Sequence, residues 1–187
     1  MLFNKSFLLL LVLYSGFYRP VNKSYLKKWV ISKGCSLQVN GSTTINKFSC
    51  VISNYYKPDT LTLYQDDEAG SLKFAGKMEL DVQSFDCHNP MMTANLRKTL
   101  KGKVFPKLII KFISLSRYPD GNDDGGDAIK GAVTIQLAGI KEHFNVNYKI
   151  TSERTNSLTM VGTRQVKFSD FNLILPKKFG NLIQAKD

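Results

Sequence analysis

From about residue 36 onward, hydrophobic and polar residues alternate along most of the chain. In LKFAGKMELDV (72–82), Leu72, Phe74, Met78, Leu80 and Val82 fall on one face, and Lys73, Lys77, Glu79 and Asp81 on the other. A period of two is the mark of a strand with one face buried. Val133, Ile135 and Leu137 alternate in the same way, as do Phe144, Val146, Tyr148 and Ile150. Ala138-Gly139-Ile140-Lys141 separates those two runs, which predicts a hairpin with one apolar face on both strands. Further strands are predicted near Ser36–Asn40, Phe48–Ser53, Thr60–Tyr64, Leu108–Leu115, Leu158–Val161 and Gln165–Ser169. A series of strands joined mostly by short turns predicts an all-β antiparallel barrel or sandwich.

One segment has a different period. Met92, Leu96 and Leu100 recur every four residues and share one face of a helix. Asn89 is a suitable N-cap and Pro90 suits the first helical position. Arg97, Lys98 and Lys101 complement the C-terminal end of the helix dipole, and Gly102 is placed to close it. The pair Met91-Met92 reads as core filler or as an adaptable apolar mouth, because methionine repacks easily.

The N-terminus reads as an export signal. Lys5 precedes FLLLLVLYSGF (7–17), an apolar run too short for a comfortable membrane span. We assign residues 1–20 to a signal peptide, with cleavage around Ser15–Asn22. Residues 21–29 are read as a basic linker, and 30–187 as one domain, long enough to bury a sizeable core. The expected location is the periplasm or another exported compartment. The formal net charge is +11. The lysines and arginines are scattered through apparent strands and not gathered in one stripe with aromatics, which argues against nucleic acid. A weak attraction to an anionic membrane surface is compatible with this charge, at about 1 kcal/mol per well-placed basic residue.

The chain has three cysteines, Cys35, Cys50 and Cys87, and two histidines, His88 and His143. An oxidising compartment favours pairing, and an odd number leaves one cysteine over. There is no C-x-x-C or H-x-x-x-H spacing, so the set is poor for zinc. His88 adjoins Cys87, and on an extended strand the two point to opposite sides, which is poor geometry for a nucleophile and its base. DGNDDG (120–125) matches the first half of a calcium loop, but Gly131 stands where that loop needs its glutamate, so it reads as a solvated hairpin loop. No Ser-His-Asp set or phosphate loop is present. Asp170 reads as turn chemistry. No catalytic residues, metal or cofactor are expected.

Four stretches, in order, resemble the YceI-like, lipocalin-like periplasmic proteins. They are SLQVNGSTTINKFSC (36–50), FDCHNPMMTANLRKTLKGKVFPKLIIKF (85–112), IQLAGIKEHFNV (135–146) and VKFSDFNLILPKKFGNLIQAKD (166–187). The resemblance covers roughly residues 30–187. It departs at Thr44, where the family often has Asn, and at Leu175, which replaces the first of two prolines. It implies an extended antiparallel barrel of about eight strands with one short helix near the open end. It also implies a Cys50–Cys87 disulfide and a long apolar ligand, an isoprenoid or another lipid, inside the barrel. Ligand-lining candidates are Phe74, Met78, Leu80, Leu108, Ile110, Phe112, Ile135, Leu137, Phe144, Val146 and Phe168, with Met91 and Met92 near the mouth. The printed chain stops at Asp187, where family members continue with one more apolar strand. The expectation is therefore an open barrel edge, with either a homodimer formed through it or poor stability in solution. A barrel with a filled, partner-binding core, or an enzyme of unrecognised type, is the alternative. A filled interior would use the same residue types as a lined one.

Overall fold

A computed structural model describes residues 25–42, 47–53, 55–65, 72–119, 129–153, 157–174, 177–178 and 183–184. Residues 1–20, read as a signal peptide, and 120–125, read as a hairpin loop, lie outside these residues. Twelve strands are described: β1 (Tyr25–Val30), β2 (Leu37–Ser42), β3 (Lys47–Ile52), β4 (Thr60–Gln65), β5 (Leu72–Ala75), β6 (Lys77–Asp81), β7 (Lys107–Leu115), β8 (Ile129–Leu137), β9 (Ile140–Glu153), β10 (Ser157–Thr163), β11 (Lys177–Lys178) and β12 (Ile183–Gln184). Helix α1 spans Pro90–Thr99. Eight strands form one antiparallel sheet in the order β1-β4-β5-β7-β8-β9-β10, with β6 also on β7. The sheet curls into a half-barrel. Strands β2 and β3 form a separate hairpin, joined to the rest by the backbone bridge between Val51 and Asp86 and by the Cys50–Cys87 disulfide.

The alternation read from the sequence is the alternation of burial. Phe144, Val146, Tyr148 and Ile150 are buried on β9, while the intervening residues from Lys141 to Lys149 are exposed except half-buried Glu142. Leu137 and Ile140 close the β8–β9 hairpin around Ala138 and Gly139, both with positive φ (51° and 85°). That backbone matches the twist of a two-residue hairpin and accounts for the glycine. The 72–82 run keeps one apolar face but breaks at Gly76, whose φ is 151°. A Cβ there would lie 2.7 Å from the Thr60 carbonyl oxygen, so only glycine fits. Almost opposite, the β7–β8 register shifts between Phe112 and Ser114, leaving Ile113 as a bulge residue.

Helix α1 begins as its sequence predicts. The Asn89 Oδ1 accepts the Met92 N–H at 3.0 Å, and Leu96 and Leu100 are buried. Its end differs from the expectation. Lys101, not Gly102, takes the left-handed conformation (φ 53°). Gly102 is required instead because a Cβ would lie 2.8 Å from Val82.

Two expectations are corrected. Residues 25–29, read as part of a basic linker, belong to β1, which pairs with β4 through Trp29 opposite Leu61. Two adjacent lysines hide the alternation there. Gln165–Ser169, read as a strand, forms no ladder. The Asp170 carboxylate accepts the Lys167 N–H at 2.8 Å, and a single 3-10 turn, Ser169–Phe171, follows. The side chain thus ties its own backbone into a turn that competes with strand pairing.

Candidate functional site

Residues directly opposite in an antiparallel ladder share a face. Leu63 faces Phe74, Leu80 faces Leu108, and Val133 faces Phe112 and Phe144. These positions build one apolar face on the curled sheet. Of the expected lining residues, Phe74, Leu80, Leu108, Phe112, Leu137, Phe144 and Val146 are buried, each 9% exposed or less. Met78, Ile110, Ile135 and Phe168 are half-buried against the same cluster. The two methionines of α1 separate: Met92 is half-buried against the core, whereas Met91 is 66% exposed.

The face carries an aromatic run that the sequence did not reveal. Tyr118, Trp29, Phe74 and Phe112 follow one another with ring centroids 6.3, 5.5 and 5.9 Å apart. Such tilted and edge-on pairs are favourable beyond their buried area. Trp29 comes from β1, inside the segment read as a linker, and its spacing from half-buried Ile31 is the signal that was available. Its indole nitrogen Nε1 is buried and has no hydrogen-bond partner among the described residues. A buried donor left unpaired costs about 1–3 kcal/mol. On another part of the face, Phe144 packs on Phe171 at 6.0 Å and lies under the Arg164 guanidinium at 5.4 Å.

The cysteine–histidine segment carries a disulfide. Cys50 is bonded to Cys87, and Cys35 is free and half-buried. The Cys87 N–H donates to the Thr93 hydroxyl at 3.0 Å, tying the disulfide to α1. Arg97 reaches back from the helix to donate twice to the Phe85 carbonyl, at 3.2 and 2.8 Å. His88 is left at the surface beside Asp86, its backbone N–H on the Asp86 carboxylate at 2.9 Å. Together with the first turn of α1 these residues border a shallow, open hollow. Among the described residues, no group of three His, Cys, Asp or Glu side chains is placed to hold a metal ion.

A second hollow lies on the opposite, outward face of β6–β9, lined by Lys77, Ile109, Lys111, Ile113, Thr134, Gln136, Lys141 and His143. The Glu79 carboxylate sits 2.5 Å from the Lys77 ammonium. That contact holds the Glu79 carboxyl below its usual range and the Lys77 ammonium above its own. Inside the fold, burial pushes the Tyr148 hydroxyl up to about 12. Burial, reinforced by a short hydrogen bond to Asp59, pushes Tyr55 up to about 12 as well.

The disulfide fits an oxidising compartment. No helix among the described residues is long and apolar enough to cross a membrane. No family model, curated protein or solved structure matches this chain.

Proposed function

We propose that the protein is an exported, non-enzymatic carrier of a long apolar or amphiphilic lipid, polyisoprenoid in kind. In this reading the half-barrel is part of a lipocalin-like barrel of the YceI type, and the lipid lies along its apolar face. The observation that carries the proposal is the Trp29 indole N–H, buried within an aromatic run and without an acceptor among the described residues. A lipid whose tail lies on Phe74 and Phe112 would bring a hydroxyl or ester oxygen to that donor. Each CH₂ buried on such a face contributes about 0.8 kcal/mol.

A specific observation favours a second reading, a filled core that serves structure or partner binding. Phe74, Leu80 and Leu108 are each 5% exposed or less, so neighbouring side chains already cover them. One experiment separates the two readings. Trp29 is the only tryptophan in the chain, so its fluorescence reports this site alone. A carrier shows a lipid adduct in native mass spectrometry and a saturable change in Trp29 emission when long-chain isoprenoid alcohols or phosphates are added. A clean apo mass, with emission unchanged by every such lipid, refutes the carrier and leaves the filled core.

The same reading proposes a homodimer through an open sheet edge. Among the described residues, β1 and β10 each pair on one side only. An unpaired edge is a template for a second chain. Sedimentation that yields a monomer at all accessible concentrations would refute the dimer.

A further inference from the structure

The outward hollow on β6–β9 is built from two ladder rows. Lys77, Lys111, Thr134 and His143 lie directly opposite one another across the four strands. The adjoining row is Glu79, Ile109, Gln136 and Lys141. Three ammonium groups and an imidazole thus converge on one patch that contains a single carboxylate. Glu79 is engaged by Lys77. Lys111 and Lys141 have no carboxylate within ion-pair distance among the described residues. Like charges directly opposite each other on a sheet are destabilising; Glu79 answers the Lys77 charge, while Lys111 across from it has no carboxylate partner among the described residues.

Thr134 adds a second, independent feature. It is only 5% exposed although it lies on the outward face, at the floor of the hollow. Its hydroxyl is 3.0 Å from the His143 Nδ1, which orients both groups. The hollow has a volume of about 360 Å³, enough for a phosphate group together with part of its ester. Ile109 and Ile113 supply an apolar wall for that ester.

We propose that this hollow binds the phosphate of a phosphate monoester, with Lys111 and Lys141 as the charge partners and the Thr134–His143 pair as the polar floor. Lysine binds phosphate as a point charge, and ion-assisted hydrogen bonds are roughly twice as strong as neutral ones. The site lies on the opposite face of the sheet from the apolar cluster and does not depend on the lipid reading.

The test titrates inorganic phosphate into the full chain and follows the His143 ring and the lysine ammonium signals by nuclear magnetic resonance. The expected result is saturable shifts confined to this patch. Affinity should fall roughly tenfold in Lys111→Gln, the loss of one charge-assisted contact worth about 1.4 kcal/mol. It should be unchanged in Lys149→Gln, an exposed lysine elsewhere on β9. Thr134→Ser should retain binding and Thr134→Val should weaken it. Phosphatidylcholine vesicles doped with phosphatidic acid identify the source of the phosphate. Co-sedimentation that depends on Lys111 indicates a lipid headgroup, and phosphate binding without it indicates a soluble ester. Non-saturable shifts, or equal weakening by Lys111→Gln and Lys149→Gln, would overturn the proposal.

Discussion

Removing the disulfide is the sharpest test of how the small β2–β3 hairpin is held. The change is Cys50→Ala with Cys87→Ala, which avoids a buried unpaired thiol. The bridge joins residues 37 apart in sequence. Closing a loop of that size in the unfolded chain corresponds to roughly 3–4 kcal/mol of stability. Both sulfurs sit in the core, with Cys50 fully buried and Cys87 7% exposed, so small cavities add to the loss. What remains to dock the hairpin is the packing of Ile52, Leu37, Val39 and Phe48 on the core and the backbone bridge, with Val51 N–H to Asp86 oxygen at 2.7 Å and Asp86 N–H to Val51 oxygen at 2.9 Å. For a chain of this length, 1 kcal/mol shifts Tm by about 2–4 °C, so the expected drop is on the order of 10 °C. Urea denaturation should show a lower midpoint, and also a steeper slope, because the uncrosslinked chain exposes more surface on unfolding. Hydrogen exchange should show protection falling first over 37–52 and only later in β7–β9. A loss under about 1 kcal/mol, or an even loss of protection across β2–β3 and β7–β9, would refute the reasoning.

Other outcomes follow from the same structure. Phe112→Leu or Leu137→Ala should loosen lipid binding by roughly 1–3 kcal/mol while the outward Lys73→Gln does little, read as lipid affinity with folding checked separately. Because Tyr55 and Tyr148 titrate near 12 in the fold and near 10 when unfolded, the unfolded chain loses those protons first. Stability should therefore be intact below pH 10 and decline between about 10 and 12, and Tyr148→Phe should flatten that decline in urea midpoints. Gly131→Ala places a Cβ 2.6 Å from the Ser114 carbonyl oxygen between β7 and β8, and should cost about 1–3 kcal/mol in thermal or urea unfolding.

Much of this fold is legible where one rule acts alone. The 143–150 alternation, the Asn89–Pro90 helix start and the Ala138–Gly139 turn are local and agree with what surrounds them. The misses share a cause, which is that another part of the chain decides. Trp29 reads as a linker residue because its neighbours are lysines, and only β4 makes it a strand position. Residues 165–169 have strand composition, but Asp170 binds the backbone three residues earlier. The bulge at Ile113 depends on β8, and with it Phe112 and Leu115 both turn inward at a spacing of three. The outward row from Lys77 to His143 is the clearest case. Its members span 67 positions, and no spacing rule joins them until the register is known.

The break at Gly76 and the bulge at Ile113 form a crease. They meet across neighbouring strands, where the Phe112 N–H reaches the Gly76 carbonyl at 3.3 Å. Bulges sharpen local twist and interrupt the ladder. The interruption is local: it separates β5 from β6 and bulges β7, while β8 and β9 run past it unbroken. At Gly76 and Ile113 the pairing loses its regular register, whereas β8–β9 keeps a continuous ladder of nine residue pairs. Phe74 and Phe112, the two rings on which the proposed lipid tail would lie, flank this break, so the ladder is interrupted beside the surface that would carry the ligand.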